Sequence, residues 1–320
     1  MFQSKKSVNL FYKIYDLYRI DIYTKKLFFV SKRLLKNSKC QIKIFDLEKN
    51  KLYLRISNLR LITNLSGISQ YSTDKSIYLC GFNKISDHQS PDSMGSYLFR
   101  YDLENDFNQP TVLVNSIYVH YNPMMIILND NIYVIGGKKQ LFCEKFSISH
   151  NCWNKIPILP EERYKGSLLI DKKDSNLYLF GGTTNGKFNS SILFLNFRSI
   201  AGWETIIVKN QGNIIKRSSC IAFNFGNEND NNIFICGGNR DSNDCDDYVI
   251  VYQTMNKKIR KYYIKSELCK AKFKIQTVVE FDGKFTSFCD NQDNIYIIDN
   301  QNFQIRIIDT NNLDENSNIK

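Results

Sequence analysis

Read for its alternation of apolar and polar positions, the chain breaks into short runs of strand-forming side chains separated by polar turns. Runs of Ile, Leu, Val, Phe and Tyr are four to eight residues long and bounded by Asn, Asp, Lys and Gly, a pattern of strands rather than helices. The runs are also self-similar: NDNIYVIGG (129–137), SNLYLFGG (175–182) and NNIFICGG (231–238) nearly superimpose. KSIYLCGF (75–82) is a weaker copy, and KKLFFVSK (25–32) and GKFTSFCD (283–290) are degenerate ones. Their leading strand residues, Leu27, Ile77, Ile132, Leu177, Ile233 and Phe285, lie 50, 55, 45, 56 and 52 residues apart, the spacing of a repeat architecture.

Each copy is followed by a second strand: IKIFDL (42–47), YLFRYDL (97–103), FCEKFSI (142–148), ILFLNF (192–197), YVIVYQ (248–253) and NIYIID (294–299). Trp153 and Trp203 each open a further strand, and an additional apolar run, such as PMMIIL or GSLLI, precedes the copies from the third onward. The unit therefore has four strands. Six units are expected, roughly 11–59, 60–115, 116–160, 161–209, 210–265 and 266–310, within one domain spanning 1–310, followed by a polar tail at 311–320. Phe11–Tyr23 alternates and should supply an inner strand of the first unit or an outer strand of the last, fastening the ends together. The pairs Gly136-Gly137, Gly181-Gly182 and Gly237-Gly238 suit positive φ and close backbone approach where the strand leaves the crowded inner part of the unit. The tryptophans suit the space between neighbouring units.

On these residues the chain resembles the kelch repeat family, whose units carry a Gly-Gly after the second strand, an aromatic in the third and a Trp opening the fourth. The full motif stands around Gly136, Gly137 and Trp153 and again around Gly181, Gly182 and Trp203. The fifth unit keeps Gly237 and Gly238 but has Ile259 near the Trp position, the second keeps only Gly81, and the first and sixth lack the pair. The resemblance implies an all-β, kelch-type β-propeller of about six four-stranded blades. It further implies a protein-protein interaction scaffold or adaptor, with a ubiquitin-ligase component or a cytoskeletal protein as the kind of partner. Kelch-type propellers of the galactose oxidase-like and sialic acid mutarotase types are enzymes, which makes catalysis the alternative function. The adaptor members carry a BTB or F-box domain, and nothing in the 320 residues reads as one.

Composition adjusts this picture in two ways. The 42% hydrophobic and 23% charged residues belong to a folded chain, and the net charge of +11 suits an acidic partner. Lysine is scattered, however, and richness in Lys, Asn, Ile and Tyr also matches an AT-biased genome. In an up-and-down unit, the links after the second and fourth strands emerge at one end. The basic residues placed there as candidate partner contacts are Lys138, Lys139, Arg163, Lys165, Lys216, Arg217, Arg240 and Lys272. Nucleic acid is disfavoured because no RNP-like or basic helical motif is present.

Catalytic and metal chemistry find little support. The three histidines, His88, His120 and His150, show no HxH or HExxH spacing and read as surface or loop residues. Cys143, His150 and Cys152 have ligand-like spacing without a fourth partner. Cys80, Cys220, Cys236 and Cys289 sit in apolar strands and read as core, and the nine cysteines form no CxxC pair. RDSNDCDDY (240–248) lacks the Gly and terminal Glu of a calcium loop. No apolar run approaches the length of a membrane span, and the N-terminus has no continuous apolar core of a signal peptide. The expectation is a cytoplasmic, monomeric protein with no cofactor, metal or catalytic residue.

Overall fold

The structure is a computed structural model. It describes residues 26–34, 40–46, 51–57, 65–72, 76–83, 95–102, 111–171, 176–199, 201–206, 208, 220–224, 232–236, 248–263, 278–281, 285–289, 295–299 and 304–308. The expected strand at Phe11–Tyr23 and the tail 311–320 lie outside these residues. So do Lys216, Arg217, Arg240, Lys272, Gly237, Gly238 and His88.

All described regular structure is strand, so no described helix is long and apolar enough to cross a membrane. The first set comprises β1 (Lys26–Leu34), β2 (Cys40–Asp46) and β3 (Lys51–Ser57). The second comprises β4 (Leu65–Ser72), β5 (Ser76–Asn83), β6 (Tyr97–Asp102) and β7 (Thr111–Val112). The third comprises β8 (Met124–Leu128), β9 (Asn131–Ile135), β10 (Cys143–Ser147) and β11 (Cys152–Ile156). The fourth begins with β12 (Ser167–Asp171) and β13 (Asn176–Phe180), which a short hairpin follows, β14 (Thr183–Thr184) and β15 (Lys187–Phe188). It ends with β16 (Ile192–Asn196) and β17 (Trp203–Ile206). The fifth comprises β18 (Ile221–Asn224), β19 (Asn232–Cys236), β20 (Tyr248–Gln253) and β21 (Lys258–Tyr263). The sixth comprises β22 (Val278–Phe281), β23 (Phe285–Cys289), β24 (Ile295–Asp299) and β25 (Gln304–Ile308).

Within each set the principal strands pair antiparallel in up-and-down order, so the chain is all-β and built of small antiparallel sheets. The second and sixth sets join through one parallel pair, Tyr71 opposite Val278. The leading strands are neighbours: β8 lies against both β4 and β12, β12 against β18, and β4 against β22.

Because side chains alternate across a strand, each middle sheet has two faces to cover. In the third set Ile132, Val134 and Phe146 face the second set and pack with its Tyr78, Cys80 and Leu98. On the opposite face, Tyr133, Ile135 and Cys143 meet Leu177, Leu179, Leu193 and Leu195 of the fourth. Tyr178, Phe180 and Ile192 on the far face of that sheet pack with Ile233, Ile235, Ile250 and Tyr252 of the fifth. The core is therefore a row of inter-sheet layers, in which each fully buried large apolar side chain contributes about 1.5–3 kcal/mol. Cys80, Cys143 and Cys220 belong to these layers as buried free thiols. Burial pushes the Cys143 thiol up to about 12.

The tryptophans occupy equivalent places in this row. Trp153 on β11 stands opposite Phe146, and its Nε1 donates to the Val114 carbonyl beyond β7 at 2.7 Å. Trp203 on β17 stands opposite Leu195, and its Nε1 donates to the Pro157 carbonyl beyond β11 at 2.9 Å. Each indole thus bridges from the last strand of one set to the connection leaving the previous one. In the fifth set Ile259 takes this position opposite Tyr252 and is buried, supplying packing without a donor.

The chain contains two Trp, so each single Trp→Phe variant retains one fluorescent reporter. Trp153→Phe and Trp203→Phe should each lower the unfolding free energy by about 1 kcal/mol, the net contribution of one hydrogen bond. The double variant should lose the sum to within about 0.5 kcal/mol, since the two bridges share no partner. Urea unfolding followed by fluorescence and circular dichroism measures this, and wild-type midpoints in all three would remove the indole bridges from the stability of the fold.

Candidate functional site

Four connections meet on one side of the second, third and fourth sheets: residues 113–123, 136–142, 157–166 and 181–191. Lys138 N donates to Tyr121 O at 2.7 Å, Gly137 N to Arg163 O at 3.0 Å and Leu159 N to Leu141 O at 2.9 Å. Tyr164 and Thr183 exchange backbone bonds of 3.3 and 2.8 Å. These are the links after second and fourth strands, which the up-and-down order brings to a common end, and the bonds between them make one loop surface.

The glycine pairs set the approach of these loops. Gly136 and Gly181 have φ of 58° and 59°, and Gly137 and Gly182 have φ of 143° and 92°, so both pairs are in the positive-φ region where a side chain is disfavoured. A Cβ on Gly136 would lie 2.6 Å from Arg163 O, and one on Gly182 would lie 2.9 Å from Tyr164 O. The neighbouring connection thus runs against the glycine backbone itself. In the fourth set the loop also carries the β14–β15 hairpin. Its turn, Asn185 and Gly186, has φ of 48° and 78°, as a type I′ turn requires.

Two buried polar side chains fasten the first glycine of each pair. His120 stands four residues before β8, and its Nδ1 lies 2.9 Å from Gly136 O. Arg163 stands four residues before β12, and its Nη1 donates to Gly181 O at 2.7 Å. His120 Nε2 is 2.9 Å from Glu144 Oε1, with both side chains fully buried. The Glu144 carboxylate also accepts the backbone N–H groups of Ile117 and Tyr118 at 2.8 and 2.9 Å. The buried charge is therefore paired and hydrogen-bonded, as burial demands. His120 N further donates to Ser96 Oγ at 2.7 Å, tying the connection to the start of β6. Arg163 is held likewise, with Nη2 donating to Glu161 and, at 2.6 Å, to Ser191 Oγ. Burial pulls the Arg163 guanidinium below its ordinary value, and the Glu161 carboxylate opposes that pull.

Two expectations change here. Arg163, expected among the exposed partner contacts, is fully buried as the anchor of the 181–191 loop. His120, expected at the surface or in an open loop, is buried with a carboxylate. Lys138, Lys139 and Lys165 are exposed on the loop surface, and Lys187 on β15 adds a fourth exposed lysine to it. Lys165 Nζ sits 5.7 Å from the Tyr164 ring centroid. Glu144 was the residue missed, although register reveals it. It occupies the column that holds Phe99, Leu193 and Ile250 in the second, fourth and fifth sets, a charge in an apolar series.

Cys143, His150 and Cys152 are not brought together. Cys143 pairs with Ile156 and Cys152 with Ser147, at opposite ends of the β10–β11 ladder, with Cys143 buried and Cys152 exposed. His150 Nδ1 is 2.9 Å from Ser147 Oγ in the exposed turn between them.

Arg163→Met and Glu144→Leu should each lower the unfolding free energy by about 3–5 kcal/mol, because each strands a buried partner. Lys165→Glu on the same loop should change it by about 0.5 kcal/mol or less. Chemical denaturation monitored by circular dichroism tests the contrast, and equal effects at positions 163 and 165 would contradict the burial of Arg163.

In comparisons with known proteins, the chain matches no family model and no curated protein.

Proposed function

We propose that the strand sets are blades of a kelch-like β-propeller, in which the direct pairing of β22 with β4 puts the sixth set beside the second, and that the protein is a non-catalytic scaffold binding an acidic macromolecule through its loop surface. The observation that carries this reading is the repetition of one joint. Sheet after sheet covers its two faces with its neighbours, leading strand lies beside leading strand, and Trp153 and Trp203 bridge to the preceding set in the same way. Sheets stacked through such joints, with a small rotation at each, are what a propeller is made of.

Support for the scaffold role comes from how the polar groups are used. The buried titratable pair on this surface holds loops: Glu144 engages His120 and two backbone amides. Arg163 engages a glycine carbonyl, Glu161 and Ser191. The lysines, by contrast, face solvent. Among the described residues Lys138, Lys139, Lys165 and Lys187 have no ion-pair partner, so an acidic surface would find them uncompensated.

Small-angle scattering tests the architecture. A closed ring of 320 residues should have a radius of gyration of about 20 Å, and a markedly larger value with an elongated distance distribution would favour an open array. Affinity capture from cell extract with wild type and with the Lys138→Glu, Lys139→Glu, Lys165→Glu triple variant tests the binding role. The triple variant should recover about tenfold less of any specific partner, and the wild-type yield should fall as salt rises. Capture indifferent to both would sink the basic-surface reading.

A further inference from the structure

The scaffold reading leaves open where on the loop surface a partner would gain its affinity, since exposed lysines steer encounter more than they hold. Apolar anchors do the holding. Among the described residues the exposed large hydrophobic side chains are Val112, Val114, Ile117, Val119, Phe142, Ile158 and Met255. Of these, Val114, Ile117, Val119, Phe142 and Ile158 lie in the connections flanking the third sheet, and Val112 closes β7 beside them.

At the centre of this region Tyr118 and Phe142 stack face to face, with ring centroids 3.9 Å apart and planes 6° apart. Phe142 remains 39% exposed despite the stack. Lys155 on β11 places its Nζ 5.1 Å from the Tyr118 centroid. The backbone beneath is fixed from inside, because Glu144 takes the N–H groups of both Ile117 and Tyr118. The backbone that carries Tyr118 is thus held in place before any partner arrives, which lowers the entropy cost of binding.

We infer that the Tyr118–Phe142 stack, flanked by Ile117 and Val119 and by Lys138, Lys139 and Lys155, is the docking platform for an acidic peptide segment that inserts one apolar anchor side chain. This rests on the scaffold reading and narrows it to one place. The sign of the partner follows from the charges: the carboxylate at this spot, Glu144, is buried with His120, while no described carboxylate forms an ion pair with the three lysines. The apolar anchor follows from the aliphatic exposure of Ile117 at 44% and Val119 at 39%, which phosphates and sugars would not cover. A peptide with carboxylates on either side of an aromatic side chain complements both features.

The probe is a fluorescent peptide with a single phenylalanine inside a run of glutamates, measured by anisotropy with the full chain at low and physiological salt. Saturable binding is expected, weakened about tenfold by Phe142→Ala and by Lys138→Glu with Lys139→Glu, and not reproduced when the peptide phenylalanine is replaced by alanine. Val119→Ser, a change at an exposed side chain, should weaken binding in the same direction and separates docking from folding should Phe142→Ala prove unstable. No saturable binding, or binding unmoved by these changes, overturns the platform. So does preferential binding of a fluorescent oligouridylate, which would assign the aromatic stack to bases. Concentration-dependent self-association abolished by Phe142→Ala also overturns it, giving the surface to a second copy of the chain. Partner capture that survives Phe142→Ala yet fails in Lys165→Glu would leave the scaffold reading standing without this platform.

Discussion

A four-stranded sheet with large apolar side chains on both faces cannot stand in water, and the structure of this protein follows from that constraint. The third sheet presents Ile132, Val134 and Phe146 on one face and Tyr133, Ile135 and Cys143 on the other, each set buried against a different neighbour. The fourth repeats the arrangement with Leu177, Leu179 and Leu193 against Tyr178, Phe180 and Ile192. At about 1.5–3 kcal/mol for each buried side chain, these layers outweigh any single polar contact between sheets, near 1 kcal/mol. The indole bridges of Trp153 and Trp203 are therefore better understood as register devices than as the main cohesive force. Each satisfies a carbonyl on the connection leaving the preceding sheet, and so fixes how far one sheet can slide on the next.

Stacking sheets in this way brings their loops to a common edge, where the backbone must turn sharply and its polar groups must still be satisfied. The glycine pairs allow the close approach, and the price is carbonyls directed into a crowded interior. His120 and Arg163 meet that need at equivalent positions with different chemistry, an imidazole on Gly136 O and a guanidinium on Gly181 O. Each then brings a carboxylate with it, because a buried cation or proton donor without an acceptor is far costlier than a paired one. Glu144 and Glu161 are consequences of the glycines once removed.

Much of this was legible in the sequence, for physical reasons that differ by feature. Strand type and spacing were readable because period-two patterning and the Gly-Gly punctuation are local, and β9, β13 and β19 fall on the three clearest copies. The tryptophans were readable as inter-unit residues because nothing else in a short strand needs so large a side chain. Arg163 was misplaced because a basic residue in a loop carries no local mark of burial. Its fate is decided by Gly181, Ser191 and Glu161, up to 28 residues away or across a turn. The hairpin at 183–188 escaped notice because two-residue strands have no periodicity to read, although its Asn185-Gly186 turn is a recognised signal. Glu144 lay between these cases: invisible within its own strand, and conspicuous once the columns of Phe99, Leu193 and Ile250 are set beside it.

The same residue links the fold to its surface. Were Glu144 a leucine like its counterpart in the fourth sheet, the N–H groups of Ile117 and Tyr118 would lose their acceptor, and the 113–120 connection would be free to close its apolar side chains inward. Instead the carboxylate holds that connection from beneath and leaves Ile117, Val119 and the Tyr118–Phe142 stack facing out. An apolar sheet position has been given up for a buried carboxylate, which is tolerated only because His120 and the two N–H groups meet it. Exposed aromatics with such support are not a by-product of a loosely packed loop. The interior is arranged to keep them where they are.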